Sequence, residues 1–312
     1  MSGQVTTHQH LRHQQLGLTD EQVLDMYRTM LLARKIDERC MLLQRAGKIN
    51  FHISGIGQES AQVGAAFALQ PGVDYLLPYY RDYAMVLAFG MTPRELMLSA
   101  FAKAEDPNSG GRQMPGHFGH KKLKIVTGSS PVTTQVPHAV GFALAAKMNA
   151  KQFVSFVTFG EGSSTQGYFQ EGINFAAVYK LRVILMCENN QYAISVPYHK
   201  QVGAASIADR GIGYGIPGIR VDGTDMLEVY RVVKEARDRA LRGEGPTLIE
   251  AVMYRLTPHS TSDNDLAYRT KEEVEYHAKL DGLPKFRQYL FECGLWSDEQ
   301  DERLHEELAE IV

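Results

Sequence analysis

Cysteine is scarce in this 312-residue chain: Cys40, Cys187 and Cys293 stand far apart, and no C-x-x-C spacing occurs. An odd, scattered set argues against a disulfide framework or a thiolate zinc site and suits a reducing compartment. Long apolar runs are missing too, and none approaches the ~20 residues that a membrane-spanning helix needs. The first stretch, MSGQVTTHQHLRHQQLG, has no apolar segment and a single Arg. Residues 1–17 therefore read as a mobile polar tail, neither a secretory signal nor a transit peptide. The expected location is the cytoplasm, or the mitochondrial matrix for a processed eukaryotic chain. Nor is there an excess of basic charge. Lys+Arg is 33 against Asp+Glu 36, a net charge of −3, which argues against nucleic acid or an anionic membrane as partner.

What is present is an ordinary globular composition, 44% apolar and 22% charged. No repeat, low-complexity segment or Pro/Gly linker divides the chain, so residues 18–312 read as one α/β domain. Thr19-Asp20-Glu21-Gln22 fits a capping box, and Val23, Met26, Tyr27, Met30 and Leu31 follow at helical spacing. Thr92-Pro93-Arg94-Glu95 repeats the signal with Pro at N1. Small-residue helices are expected at 57–69 and 136–149. Between them, DPNSGGRQMPGHFGHKK reads as a long loop, in which His117 and His120 are taken as structural. The tail histidines His8, His10 and His13 read as solvated. FVSFVTF (153–159), RVILMC (182–187), IRV (219–221) and TLIEAVMY (247–254) read as strands, with helices between them and one starting at Thr224. That alternation predicts a parallel sheet with helices on both faces. The charged region beyond about 270 is expected to be helical and peripheral.

The chemistry concentrates in FGEGSSTQGYFQEGINFAAVYKLRVILMCENNQYAIS. Glu161 follows one predicted strand and Asn190 the next, 29 positions on, about one β-α-β unit. Both loops then open at the carboxyl edge of the sheet, where open α/β sheets bind ligands. A carboxylate and an amide oxygen there suit Mg²⁺, whose octahedron is completed by carbonyls, water and phosphates. Gly160 and Gly162 allow close backbone approach, and free N–H groups at the next helix start favour an anion. A Mg²⁺-bridged diphosphate is the reading. A dinucleotide turn is the rival, but the third glycine of G-x-G-x-x-G is Thr165 here. A bare strand-turn-helix is the other, and the Asn pair after the next strand weighs against it.

The GEG…NN segment resembles the thiamine-diphosphate motif, GDG…NN at the same spacing, with the carboxylate kept. From about residue 17 to 311 the chain is similar to α subunits of 2-oxo acid dehydrogenase E1 components, most of all the branched-chain (2-oxoisovalerate) type. LPYYRD, GGRQMPGHFG, TGSSPVTTQVPHAVG, CENNQYAISVP and RLTPHSTSDND carry that resemblance. It implies a thiamine-diphosphate-binding fold and decarboxylation of a branched 2-oxo acid, with the acyl group passed to lipoylated E2. It implies Mg²⁺ held by Glu161, Asn190 and the Tyr192 carbonyl. Tyr80, Arg81, Ser130, Val132, Gly160, Gly162 and Ser163 would contact the cofactor, and Ser129, Pro131, Thr134 and Gln135 a potassium ion. His259 would work at the reacting end, where an imidazole titrating near neutral pH could donate a proton to the lipoyl sulfur. Some branched-chain relatives have Arg where Glu188 stands, while pyruvate-type relatives have Glu. A pyruvate or acetoin dehydrogenase α subunit is thus the alternative, and a non-catalytic subunit that keeps the fold is the other class. A chain of this length has room for one half of the cofactor site, so a β subunit in an α₂β₂ heterotetramer would supply the rest. The small-residue helices would suit packing in that assembly.

Overall fold

The computed structural model describes residues 11–312. Two helices open it: the short α1 (Arg12–Gln15) and the long α2 (Asp20–Arg45). The expected box caps α2, with Gln22 N–H donating to Thr19 Oγ1 at 3.2 Å and Thr19 N–H to Gln22 Oε1 at 2.9 Å. Next come α3 (Glu59–Phe67), β1 (Tyr75–Leu77), α4 (Tyr83–Ala88) and α5 (Pro93–Ala100), the last capped by Thr92 as predicted. A long irregular stretch leads to α6 (Gln135–Met148), β2 (Ser155–Gly160), α7 (Gly167–Val178) and β3 (Val183–Asn189). A two-stranded ribbon, β4 (Tyr192–Ala193) with β5 (Val196–Pro197), precedes α8 (Arg210–Gly213), β6 (Gly218–Asp222), α9 (Met226–Leu241) and β7 (Thr247–Val252). Helices α10 (Lys271–Ala278), α11 (Gly282–Glu292) and α12 (Asp298–Ile311) follow.

The main sheet runs β1-β2-β3-β7-β6, every neighbouring pair parallel. Strands β2, β3 and β7 are buried along both faces, as parallel strands under crossover helices are, while edge strand β6 is largely exposed. The period of two sorts the side chains. Phe156, Ile184, Met186 and Ile249 join the core under α2, α3 and α9. Val157, Phe159, Leu185 and Leu248 join the core under α6 and α7. Register sets Gly160 beside Glu188 and Asn189 beside Val252, so the loops after β2, β3 and β7 emerge together at the carboxyl edge.

Three expectations change. The polar tail fails for 11–17; the rest of it, with His8 and His10, lies outside the described residues. His13 is fully buried, its Nδ1 2.7 Å from Tyr289 Oη and its Nε2 2.8 Å from Asp20 Oδ1. The His13 bond is the main reason Asp20 sits below the usual carboxylate range. The partner at Tyr289 is 276 positions away, beyond any local pattern. Helix α9 starts at Met226, after an Asp225 cap that accepts from Glu228 N–H at 3.1 Å. Thr224 is held back in a turn by Asp222 Oδ1, to which its N–H donates at 2.9 Å. Finally, the small-residue face of α3 is used inside the chain. A Cβ on Gly64 would stand 2.5 Å from the Met226 carbonyl, so α9 already occupies that groove. Of the two small-residue helices, α6 is the one that keeps an open small-residue position, with nothing within 4 Å of a Cβ on Gly141.

Candidate active site

A cavity of about 450 Å³ opens at the carboxyl edge of β1, β2 and β3. The sequence-predicted residues Tyr80, Arg81, Ser129, Ser130, Val132 and Gln135 line it from the β1 side and the loop before α6. Gly160, Glu161, Gly162 and Ser163 line it from the end of β2, Asn190 and Tyr192 from the end of β3, and His259 from the loop after β7. Pro131 and Thr134 adjoin these lining residues in sequence and do not line the cavity themselves.

Glu161 begins the turn after β2 and is buried, its Oε2 accepting from Asn190 N–H at 3.2 Å. Burial pushes its carboxyl above the ordinary range, only partly offset by hydrogen bonds. Among the described residues no Lys, Arg or His forms an ion pair with it. Asn190 donates from Nδ2 to Gln58 Oε1 at 3.2 Å, and its Oδ1 caps Tyr192 N–H at 3.3 Å. Gln191 and Ile194, both at positive φ, curl the chain around Tyr192. The Tyr192 carbonyl accepts from Arg255 Nη1 at 3.2 Å. Gly162 has no room for a side chain, since a Cβ would stand 2.7 Å from that of Ala193.

Arg81 is buried, and its guanidinium is spent on neutral acceptors. Nη1 donates to Ser54 O at 2.6 Å, and Nη2 reaches His259 O and His259 Nδ1, both at 3.0 Å. Tyr80 lies under it, its ring centroid 5.2 Å from the Arg81 Cζ. A guanidinium has no acceptor, so His259 Nδ1 accepts and the imidazole proton is on Nε2. Burial, then Arg81, then Arg255 pull the His259 imidazolium down to about 4. The ring is therefore neutral at pH 7, which corrects the expectation of a histidine titrating near neutrality. Its backbone N–H donates to Asp263 Oδ2 at 2.8 Å, and the neighbouring Thr261 N–H to His52 O at 3.0 Å. The loop is thereby tied to His52, whose Nε2 lies 2.7 Å from Asp37 Oδ1.

In the loop before α6, Ser129 Oγ and Thr134 Oγ1 meet, and each lies 3.2 Å from the Pro131 carbonyl. Thr133 adopts φ 79 and joins this turn to the next by donating to Ser163 O at 3.2 Å. Gln135 donates from Nε2 to Thr158 O at 3.0 Å.

Four participants escaped the sequence reading. Gln58, fully buried, accepts from both Tyr79 Oη and Asn190 Nδ2. Arg255, also fully buried, orders the Tyr192–Ile194 turn; an Arg immediately after a predicted buried strand was the available signal. His117 lines the cavity instead of merely bracing its loop. Glu188 packs beside Asp82 in the interior, where Asp82 Oδ1 and Glu188 Oε1 find no hydrogen-bond donor. Burial lifts both carboxyls, and the charge of Asp82 lifts Glu188 further.

The residues fit a metal–diphosphate group on charge. Among the described residues Glu161 is a buried carboxylate in no ion pair, with Arg255 only a weak influence on it, and Arg81 is a buried cation in no ion pair; both line one cavity. Among the described residues no group of three or more His, Cys, Asp or Glu is placed to hold a metal. One carboxylate, one amide oxygen and one carbonyl form an incomplete hard-oxygen set, which phosphate oxygens would complete. Among the described residues no helix is long and apolar enough to cross a membrane.

Residues 27–312 match the family described as "Dehydrogenase E1 component". The chain is 67% identical over 301 residues to the 2-oxoisovalerate dehydrogenase subunit alpha of Bacillus subtilis (strain 168), covering 96% of this chain and 91% of that one. It is 44% identical to the mitochondrial 2-oxoisovalerate dehydrogenase subunit alpha of Mus musculus over 91% of this chain, and spans 64% of that relative's length. It is 40% identical to the pyruvate dehydrogenase E1 component subunit alpha of Staphylococcus aureus (strain Mu50), over 93% of this chain and 75% of that one.

Proposed function

The chain belongs to the dehydrogenase E1 component family, and from that premise we propose that it is the α subunit of a 2-oxoisovalerate dehydrogenase. Its cofactor is thiamine diphosphate with Mg²⁺, its partner a β subunit in an α₂β₂ assembly, and its acyl acceptor the lipoyl group of E2. Residues 18–312 form one domain in this reading, and the location is the cytoplasm. The observation that carries it is the pair of buried ionisable groups, Glu161 and Arg81, that line one cavity and form no ion pair among the described residues.

When bound, thiamine diphosphate supplies the electron sink that decarboxylation needs. Glu161, Asn190 and the Tyr192 carbonyl hold Mg²⁺, and Gly160, Gly162 and Ser163 let the phosphates approach the backbone. Arg81 brings its positive charge to a phosphate, with the N–H groups that Ser54 and His259 leave free as donors. Tyr80, Ser130 and Val132 face the rest of the cofactor. Ser129, Pro131, Thr134 and Gln135 bind potassium, which stiffens the turn that Thr133 couples to Ser163. His259, neutral and carrying its proton on Nε2, offers that hydrogen at the reacting end.

The test is to reconstitute the chain with its β partner, Mg²⁺ and thiamine diphosphate and compare 2-oxoisovalerate with pyruvate. Faster decarboxylation of 2-oxoisovalerate is expected. Preference for pyruvate moves the assignment to the pyruvate enzyme, and activity on neither removes it.

A further inference from the structure

His117 and Ser130 come from different parts of the long loop region and meet at the cavity wall. His117 Nδ1 lies 2.9 Å from the Met114 carbonyl, and Nε2 lies 2.9 Å from Ser130 Oγ. A carbonyl can only accept, so Nδ1 carries the proton. In the neutral ring Nε2 is then bare, and the Ser130 hydroxyl must donate its one hydrogen to it. What Ser130 has left is lone pairs.

The histidine is held on both sides. Gly116, at φ 87, packs so closely that a Cβ would stand 2.8 Å from the Tyr80 carbonyl. Phe118 is buried and packs edge-on against Tyr83, with ring centroids 5.1 Å apart. Gly119 N–H donates to Asn108 Oδ1 at 2.7 Å. The imidazole is thus fixed relative to Tyr80 and Arg81, while Ser130 sits on an exposed turn whose hydroxyl would otherwise rotate freely.

We propose that His117 is a positioning residue, fixing the Ser130 hydroxyl as a pure hydrogen-bond acceptor for an N–H or O–H group of the ligand in the cavity. Taking that ligand to be the cofactor rests on the function proposed above. An acceptor fixed there favours a donor group and disfavours an anionic oxygen, so it selects ligand orientation as well as affinity.

Two measurements test this. Histidine-selective ¹⁵N NMR on the full chain reads the tautomer with no ligand, and His117→Gln identifies the resonance. Protonated Nδ1 and bare Nε2 are expected, with the Nε2 signal moving in Ser130→Ala. A proton on Nε2, or indifference to Ser130→Ala, overturns the proposal. The second is calorimetry of thiamine diphosphate with Mg²⁺ on the complex with the β subunit. His117→Ala and Ser130→Ala should each weaken binding about 3- to 10-fold, the scale of one hydrogen bond. The double variant should be no worse than either single one, and His117→Gln, whose amide oxygen can accept the Ser130 hydrogen, should recover most of the loss. Additive losses mean that His117 only props its loop and overturn the proposal. A wild-type complex that binds no cofactor sinks the proposed function instead, and the NMR result judges the His117–Ser130 pair either way.

Discussion

Arg81 donates to His259 Nδ1 at 3.0 Å, and that bond fixes both the charge and the tautomer of the histidine. Two residues 178 positions apart thereby share one corner of the cavity. Burial, reinforced by the cation, holds the ring neutral, and among the described residues no carboxylate pairs with that cation.

The first consequence is a pH dependence of stability. His259 has its folded value drawn down to about 4, below that of a free imidazole, chiefly by burial and by Arg81. Between that value and about 6.5 the unfolded chain binds a proton that the folded chain refuses. Stability from this group is full above about pH 6.5 and is lost as pH falls towards 4. Carboxylates titrate in the same window, so the measurement is a difference. Urea midpoints of wild type and His259→Gln should diverge as pH drops from 7 to 5, wild type losing more. Parallel curves would remove the argument.

Glu161 sets function against stability. Its carboxyl is raised by burial, so ionisation at neutral pH costs the folded chain something that the unfolded chain does not bear. That cost is absent at low pH and grows as pH rises through the ordinary carboxylate range. Glu161→Gln should therefore melt a few degrees higher than wild type when no metal is present. The same variant should lose Mg²⁺-dependent cofactor binding by at least ~100-fold, since a ligand is worth more than the outer contacts whose loss costs 10–100-fold. Scanning calorimetry and titration of the complex check the two halves separately.

Much of this fold is written in local pattern, and the site partly so. The two capping boxes, the buried strands and the Glu161–Asn190 spacing are each decided within a few residues or one β-α-β unit. What stayed hidden depends on distant partners. His13 looks like a solvated tail residue until Tyr289 is beside it. His259 looks like a neutral-pH titrator until Arg81 and Arg255 surround it. Glu188 reads as a departure from an expected Arg, and only the packing shows it paired with Asp82. His117 needed Ser130 to have a role.

The glycines of α3 and α6 give a prediction of opposite signs. Both helices carry a small-residue face, and sequence treats Gly64 and Gly141 alike. Replacing a helical Gly with Ala is worth up to ~1 kcal/mol from backbone entropy. At Gly64 the new methyl would stand 2.5 Å from the Met226 carbonyl, and displacing α9 costs typically 1–3 kcal/mol. Gly64→Ala should be destabilised. At Gly141 nothing lies within 4 Å, so Gly141→Ala should be stabilised in the isolated chain. Denaturant midpoints for both variants decide it, and equal effects would mean that the close approach of α3 and α9 is wrong.

The last prediction separates the roles of Arg81 and His259. Arg81 anchors a phosphate in the proposed function, so Arg81→Ala should lose cofactor binding and every activity that depends on it. His259 stands at the other side of the same hydrogen bond and keeps its one proton on Nε2. That proton is a hydrogen-bond donor, and the imidazolium form is scarce at pH 7 because burial and two arginines oppose it. A phosphate bound to Arg81 would neutralise the nearer of those arginines and make the ring more basic, so proton donation becomes available once the cofactor is in place. His259→Ala should then keep much of its decarboxylation with an artificial electron acceptor. With lipoylated E2 as acceptor it should lose about 10²–10⁴-fold, the range for removing one general acid. The assay pair is run on the complex with the β subunit, with cofactor affinity measured beside it. Equal losses in both assays would assign His259 to decarboxylation itself. A loss that tracks cofactor affinity alone would make it an anchor, placed there to support Arg81.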